Sequence, residues 1–169
     1  MSDAYSQVGL REIVFGGGCF WGVEDLVRDL PGVIDTEVGY AGGNNDNPTY
    51  DNHPGHAEVV KVVYDPKEIS LKRLLDFFFT IHDPTTVNRQ GNDVGESYRS
   101  VIFYADDEER LMAQRMIDKV NKSGRWRSEV VTKLEPYKQF YAAEPEHQDY
   151  LKKNPGGYSC HYQRFASYD

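Results

Sequence analysis

The sequence predicts an α+β fold: a two-layer sandwich whose mixed or antiparallel sheet carries its helices on one face, with a ferredoxin-like core, long loops and an irregular C-terminal tail. Three observations carry that expectation. Apolar residues alternate between strand-like runs and helical spacing in the order β-α-β-β-α-β-α-β. The step from Tyr40 to Ala57 joins two strands without a helix, where a doubly wound parallel sheet would need one. No repeat, linker or low-complexity run divides the 169 residues, so residues 1–169 read as one catalytic domain.

The elements follow in chain order. Glu12-Ile13-Val14-Phe15 is a short buried strand running into Gly16-Gly17-Gly18. From Phe20, apolar residues at Val23, Leu26, Val27 and Leu30 trace one helical face, which Pro31-Gly32 ends. Val33 to Tyr40 and the valine-rich stretch Ala57 to Tyr64 are the next two strands. Ser70 is placed to cap a helix bearing Leu71, Leu74, Leu75, Phe78 and Ile81. Arg99 to Tyr104 is a further strand, and Asp106 with Glu109 three positions on forms a capping box for a helix carrying Leu111 to Val120. Glu129 to Leu134 is a fifth strand. Beyond Pro136 the chain is aromatic and irregular, with one short helix around Glu146 to Lys153. The loops 41–56 and 83–98, rich in Gly, Asn, Asp and Pro, are long enough to carry function.

Composition narrows the function classes. A net charge of −8 without a long basic run argues against nucleic acid or an anionic membrane as partner. No apolar stretch approaches a membrane span, and Met1 to Gln7 lacks the build of a signal peptide, so a cytoplasmic protein is expected. The five histidines show no Cys-x-x-Cys or His-x-x-x-His pairing, so neither a metal nor another cofactor is expected.

Two cysteines, Cys19 and Cys160, stand near opposite ends of the chain, which is not the spacing of a secreted disulfide scaffold. Cys19 lies between a triple glycine and a helix start. There the free N–H groups and the helix dipole favour a thiolate, so its pKa is expected to fall. Phe20 and Trp21 follow as an apolar wall suited to a small hydrophobic group such as a methyl. Cys160 sits in Asn154-Pro155-Gly156-Gly157-Tyr158-Ser159-Cys160, whose glycines make 154–169 an expected mobile segment. On this basis alone three readings stay open: a thiol reductase, another cysteine-nucleophile enzyme (a hydrolase or a peroxide-reducing protein), and a non-catalytic redox sensor.

Gly18-Cys19-Phe20-Trp21-Gly22 resembles the signature of the methionine sulfoxide reductase A family. Gly39-Tyr40-Ala41-Gly42-Gly43, Asn47-Pro48-Thr49-Tyr50, Gly55-His56-Ala57-Glu58-Val59-Val60, Gln90-Gly91-Asn92-Asp93-Val94-Gly95 and Tyr98-Arg99-Ser100 resemble that family too, in its order, over about 14–162. The resemblance implies a thiol-dependent oxidoreductase of protein repair under oxidative stress, a peptide-methionine (S)-S-oxide reductase acting on oxidised proteins or free methionine sulfoxide. It implies Cys19 as nucleophile, Glu58 as proton donor, Tyr50 and Tyr98 as hydrogen-bond donors to the sulfoxide oxygen, and Phe20, Trp21 and Asp93 as substrate-binding residues. Cys160 matches the resolving cysteine, whose disulfide thioredoxin reduces. Two departures are visible: Asp51-Asn52-His53-Pro54 is a shorter loop than many members have, and a single C-terminal cysteine leaves no second relay step.

Overall fold

The computed structural model describes residues 9–169. Its strands and helices run β1 (Arg11–Gly17), α1 (Phe20–Arg28), β2 (Val33–Ala41), β3 (Ala57–Tyr64), α2 (Leu71–Thr80), β4 (Arg89–Gln90), β5 (Asp93–Val94), β6 (Ser100–Tyr104), α3 (Asp107–Lys122), β7 (Lys133–Pro136), β8 (Phe140–Ala142) and α4 (Tyr150–Lys153). Six strands form one sheet in the order β7-β6-β1-β3-β2-β8, and β4 with β5 makes a separate ribbon. Within the large sheet β1, β2, β3, β6 and β8 pair antiparallel, while β7 runs parallel to β6, as expected of a strand reached through a helix. The central order β6-β1-β3-β2 is the split β-α-β arrangement of the predicted ferredoxin-like core.

Side-chain alternation assigns the two faces. Ile13 and Phe15 of β1, Val60, Val62 and Tyr64 of β3, and Ile102 of β6 pack with Phe20, Val23 and Val27 of α1, Leu74, Leu75 and Phe77–Phe79 of α2, and Ala113, Met116, Ile117 and Val120 of α3. The three long helices therefore share one face. Val14, Ala57, Val59, Val101 and Phe103 point the other way, under Tyr137 and Phe140. Burial on both sides explains why β3 reads as a continuous valine run instead of an alternating one. Both predicted caps form: the Ser70 hydroxyl accepts from Arg73 N–H at 3.1 Å, and Asp106 accepts from Glu109 N–H at 2.9 Å. The Glu109 carboxyl reaches back to the Ala105 N–H at 2.8 Å.

The sequence places one strand too early and misses three short ones. The parallel ladder to β6 starts at Lys133, because Val130 N–H and Val131 N–H are already committed to Asn121 and to the Pro84 carbonyl, both at 2.8 Å. β8 is three residues long and held by its neighbour β2, so no periodicity announces it. The loop 83–98 folds into β4, β5 and a single turn, Glu96–Tyr98. Gln90, buried in that ribbon, takes Asp83 N–H at 2.9 Å and gives to the Asp83 carbonyl at 2.8 Å, which closes the loop against the sheet.

The final residues lie on the helical layer. Arg164 N–H donates to the Thr80 carbonyl at 3.0 Å. The Tyr168 hydroxyl donates to the Phe79 carbonyl at 2.7 Å, and Trp126 Nε1 donates to that hydroxyl at 2.9 Å. Among the described residues no helix is long and apolar enough to cross a membrane.

Because Phe78 is fully buried and stacks on Phe15 at 4.5 Å, Phe78→Ala is expected to cost about 3–5 kcal/mol. Removing the α3 cap by Asp106→Ala costs about 1 kcal/mol. Urea midpoints of the two variants measure the difference, and equal losses would contradict this placement of the core.

Candidate active site

The site is built where β1 hands the chain to α1. Gly18 has φ +102°, and a Cβ there would lie 2.7 Å from the Gln90 side chain, so only glycine both makes the turn and admits the ribbon beneath it. Cys19 is the residue before the helix and is 5% exposed. Its position is one that Ser, Thr or Asp would usually occupy to cap the first turn, and no side chain of residue 19 does so. Capping comes instead from the neighbouring strand. Glu58, on β3 and 1% exposed, accepts the Phe20 N–H on Oε1 at 3.0 Å. The next two amides, of Trp21 and Gly22, act on the Cys19 sulfur.

Two acids thus share one helix start in a dry setting. Burial pushes the Glu58 carboxyl up to about 8, with the Asp93 charge adding to the rise and the Phe20 N–H opposing it. Glu58 therefore keeps its proton near neutrality. The expected fall in the Cys19 pKa is not found. Burial and the Glu58 charge push the thiol well above its usual range, and the Trp21 and Gly22 amides recover only part of that. The sequence signal for a thiolate was the helix start; the opposing effect, desolvation beside a carboxyl, depends on contacts that spacing along the chain does not reveal.

Tyr50 and Tyr98 reach the same place from the two long loops. Burial, then the Glu58 charge, raises both phenols, Tyr50 to about 12, so each keeps its O–H as a donor. Asp93, on β5, lies close enough to act on Cys19, Glu58, Tyr50 and Tyr98. Phe20 is fully buried and packs against Tyr40, Tyr50 and His147, with ring centroids 5.7, 6.3 and 5.5 Å away. Trp21 is partly exposed, stacked on Tyr150 at 3.9 Å and parallel to Tyr50 at 6.3 Å. Cys160 is half-buried; its sulfur lies 3.8 Å from Asp93 Oδ2, which also accepts from the Tyr158 hydroxyl at 3.2 Å. Both cysteines are free thiols. All eight residues singled out in the sequence lie in this one region.

A second set escaped the sequence reading. Glu144 accepts Tyr50 N–H at 2.9 Å and the Tyr40 hydroxyl at 2.9 Å, one on each carboxylate oxygen. His147 Nδ1 accepts from Trp21 Nε1 at 3.1 Å, and its ring stacks on Tyr50 at 4.4 Å. His147, in the single turn Pro145–His147, therefore holds both the Trp21 and the Tyr50 rings. Gln148 locks it to β2 by bonding Val38 N–H and Val38 carbonyl, each at 2.9 Å. The run Ala143-Glu144-Pro145-Glu146-His147-Gln148-Asp149-Tyr150 carries no motif or periodicity that marks Glu144 or His147. Its carboxylates and imidazole do cluster: Glu144, Glu146 and His147 bring ligand atoms within 4.8 Å of one another. Yet Glu144 and His147 Nδ1 are already engaged by the aromatic residues.

Known proteins share this architecture and sequence. The Nocardia farcinica peptide methionine sulfoxide reductase MsrA is 59% identical over 154 residues, covering 91% of each chain. The crystal structure of Mxr1 from Saccharomyces cerevisiae in reduced form superposes with a TM-score of 0.88 at 39% identity, covering 94% of each chain. Mxr1 in complex with Trx2 superposes with a TM-score of 0.65 at 32% identity, over 94% of this chain and 92% of that one. The family model described as peptide methionine sulfoxide reductase matches residues 11–168. On that match and those identities, the chain belongs to the peptide methionine sulfoxide reductase A family.

Proposed function

We propose that the protein reduces methionine-S-sulfoxide, protein-bound or free, to methionine by attack of Cys19 on the sulfoxide sulfur, with Cys160 resolving the product and thioredoxin reducing the resulting disulfide. The observation that carries the reading is the pairing of a buried thiol with a buried, protonated carboxyl at one helix start. A sulfoxide oxygen leaves sulfur only once protonated, and Glu58 holds a proton at the pH where the chemistry runs. Trp21, backed by Phe20, offers the face for the S-methyl group, while Tyr50 and Tyr98 donate to the oxygen and Asp93 orients the rest of the substrate. The S configuration rests on the family resemblance.

The first step balances within the site. Glu58 gives its proton to the sulfoxide oxygen as a bond forms between Cys19 Sγ and the substrate sulfur, and the thiol proton of Cys19 replaces the one Glu58 gave. A raised thiol pKa suits this order, because the proton departs only when an acceptor next to it has been emptied. The hydroxyl then passes from the substrate sulfur to Cys19 Sγ as the sulfur–sulfur bond breaks, so methionine leaves as the thioether and Cys19 remains as a sulfenic acid. Cys160 then attacks that sulfur. Thioredoxin as reductant draws support from the Mxr1–Trx2 complex at 32% identity. A cytoplasmic setting fits that chemistry, since thioredoxin keeps thiols reduced there.

Turnover of methionine sulfoxide resolved into its epimers, with dithiothreitol as reductant, tests the reading. The S epimer alone should disappear, and Cys19→Ser should abolish its loss; an untouched substrate beside a reactive Cys19 would leave only a sensor or another thiol chemistry. The pH dependence has a definite sign. Activity that needs the Glu58 proton falls as pH rises through about 8, and Glu58→Gln should lower kcat by about 10²–10⁴-fold and remove that limb. The same raised pKa contributes stability that is full below 4.5, the group's ordinary value, and lost as pH climbs through about 8. Cys160→Ser should still yield one methionine per enzyme in a single turnover but no further turnover with thioredoxin; multiple thioredoxin-driven turnovers would remove Cys160 from the cycle.

A further inference from the structure

His161 follows Cys160 directly and is buried, at 9% exposure, in a segment whose neighbours are mostly exposed. Its Nε2 donates to the Gly17 carbonyl at 2.7 Å, which ties residue 161 to the end of β1, two positions before Cys19. With Nε2 carrying the proton, Nδ1 bears the lone pair, and it faces the Cys160 sulfur at 3.8 Å. The imidazole occupies space that two glycines leave open. A Cβ at Gly22 would lie 2.3 Å from His161 Nδ1 and 2.8 Å from the Ser159 hydroxyl, and one at Gly18 would lie 3.1 Å from His161 Nε2. Two glycines of the Gly-Cys-Phe-Trp-Gly segment thus make a socket, and one ring of the tail fills it. Burial lowers the His161 pKa, which keeps the ring neutral and its Nδ1 free of a second proton.

The reduction step proposed above gives this ring nothing to do. We propose that His161 is a positioning residue for the step that follows: docked on Gly17, it anchors the resolving segment at the Cys19 loop, so that Cys160 meets the sulfenic acid as soon as it forms. The inference rests on the Cys19–Cys160 cycle of that reading and adds the residue that enforces their encounter. In the step itself the Cys160 sulfur bonds to the Cys19 sulfur, the Cys19 S–O bond breaks, and the thiol proton leaves with the hydroxyl as water. No outside oxidant or reductant takes part. What a dock supplies is proximity, which makes the second thiol's attack intramolecular and pre-aligned.

Half-reactions separate the dock from the rest of the machinery. The probe is a stoichiometric pulse of hydrogen peroxide, which oxidises Cys19 to the sulfenic acid without any sulfoxide, followed by quenched alkylation to count free thiols. In His161→Asn, whose amide is too short to reach Gly17, disulfide formation should slow on the order of 10²-fold, the effect of misplacing a reacting group by about 1 Å. A dimedone-reactive Cys19 sulfenic acid should accumulate in its place, while the methionine yield of a single turnover stays at the wild-type level. His161→Gln, whose terminal N–H reaches as far as Nε2, should restore the rate. Equal disulfide rates in wild type and His161→Asn would overturn the proposal. So would equal loss in the Asn and Gln variants, or slowing of sulfenic acid formation in parallel, because either would mark a general structural role. A wild-type protein that forms the disulfide with peroxide but leaves methionine sulfoxide intact would remove the reductase reading and leave the dock in place.

Discussion

The hydrogen bond from Phe20 N–H to the Glu58 carboxyl is the contact on which the rest of the site depends. It joins the central strand β3 to the first turn of α1 and settles three matters at once. The first turn gains an acceptor that its own capping residue does not provide, so residue 19 is free to be a cysteine whose sulfur faces the site. The carboxyl is anchored where no solvent reaches it, and burial outweighs the single N–H that favours its charge. The Cys19 thiol and the Glu58 carboxyl are held by one helix end, so their relative placement does not depend on a loop.

The sheet explains why such a contact survives. β3 is flanked by β1 and β2, and its side chains are buried on both faces. Glu58 lies on the same face as Val60 and Val62, beneath α1, in a row that is otherwise apolar. A charged carboxylate there would lack a counter-ion, and burying an isolated charge costs far more than burying its protonated form. The protonated state follows from the fold itself. Cys19 is subject to the same pressure, and a protonated thiol beside a protonated carboxyl is the resting arrangement that avoids two buried charges.

Much of this was legible in the residues. Glycine-flanked Cys19 at a helix start, the valine run of β3 and the caps at Ser70 and Asp106 are local patterns, and each formed where local rules put it. The parts that were not legible are relations between distant segments. The Cys19 pKa moved opposite to the helix-dipole expectation because burial, and then Glu58, 39 positions away in sequence, outweigh two amides. β8 and the β4–β5 ribbon are too short to show a period, and their partners alone define them. Glu144 and His147 could not be singled out because their roles are contacts with Tyr50, Tyr40 and Trp21, in parts of the chain about a hundred residues away.

Why the C-terminal third should carry so many of these contacts follows from what the chemistry requires of its walls. The methyl group of the proposed substrate needs aromatic faces at fixed angles, and a partly exposed indole on the first turn of a helix has several rotamers available. His147 and Tyr150 remove that freedom for Trp21, and His147 stacks on the Tyr50 ring while Glu144 holds the Tyr50 backbone. The last segment has the opposite requirement in the proposed cycle, since its thiol must stand aside while substrate binds and then approach. It is fastened firmly at Tyr168 and Arg164 on α2, and at His161 on the active-site loop, with Cys160 held between Asp93 and His161 by weak sulfur contacts of 3.8 Å. Strong bonds at the ends and weak ones at the sulfur allow the thiol to shift without releasing the segment. Asp93 faces the Cys160 sulfur and accepts from Tyr158, and in the proposed reading it also orients the substrate, so there an arriving sulfoxide and a parked Cys160 compete for it. In the proposed cycle that competition sets the order: substrate displaces the thiol, product leaves, and the docked segment brings the thiol back.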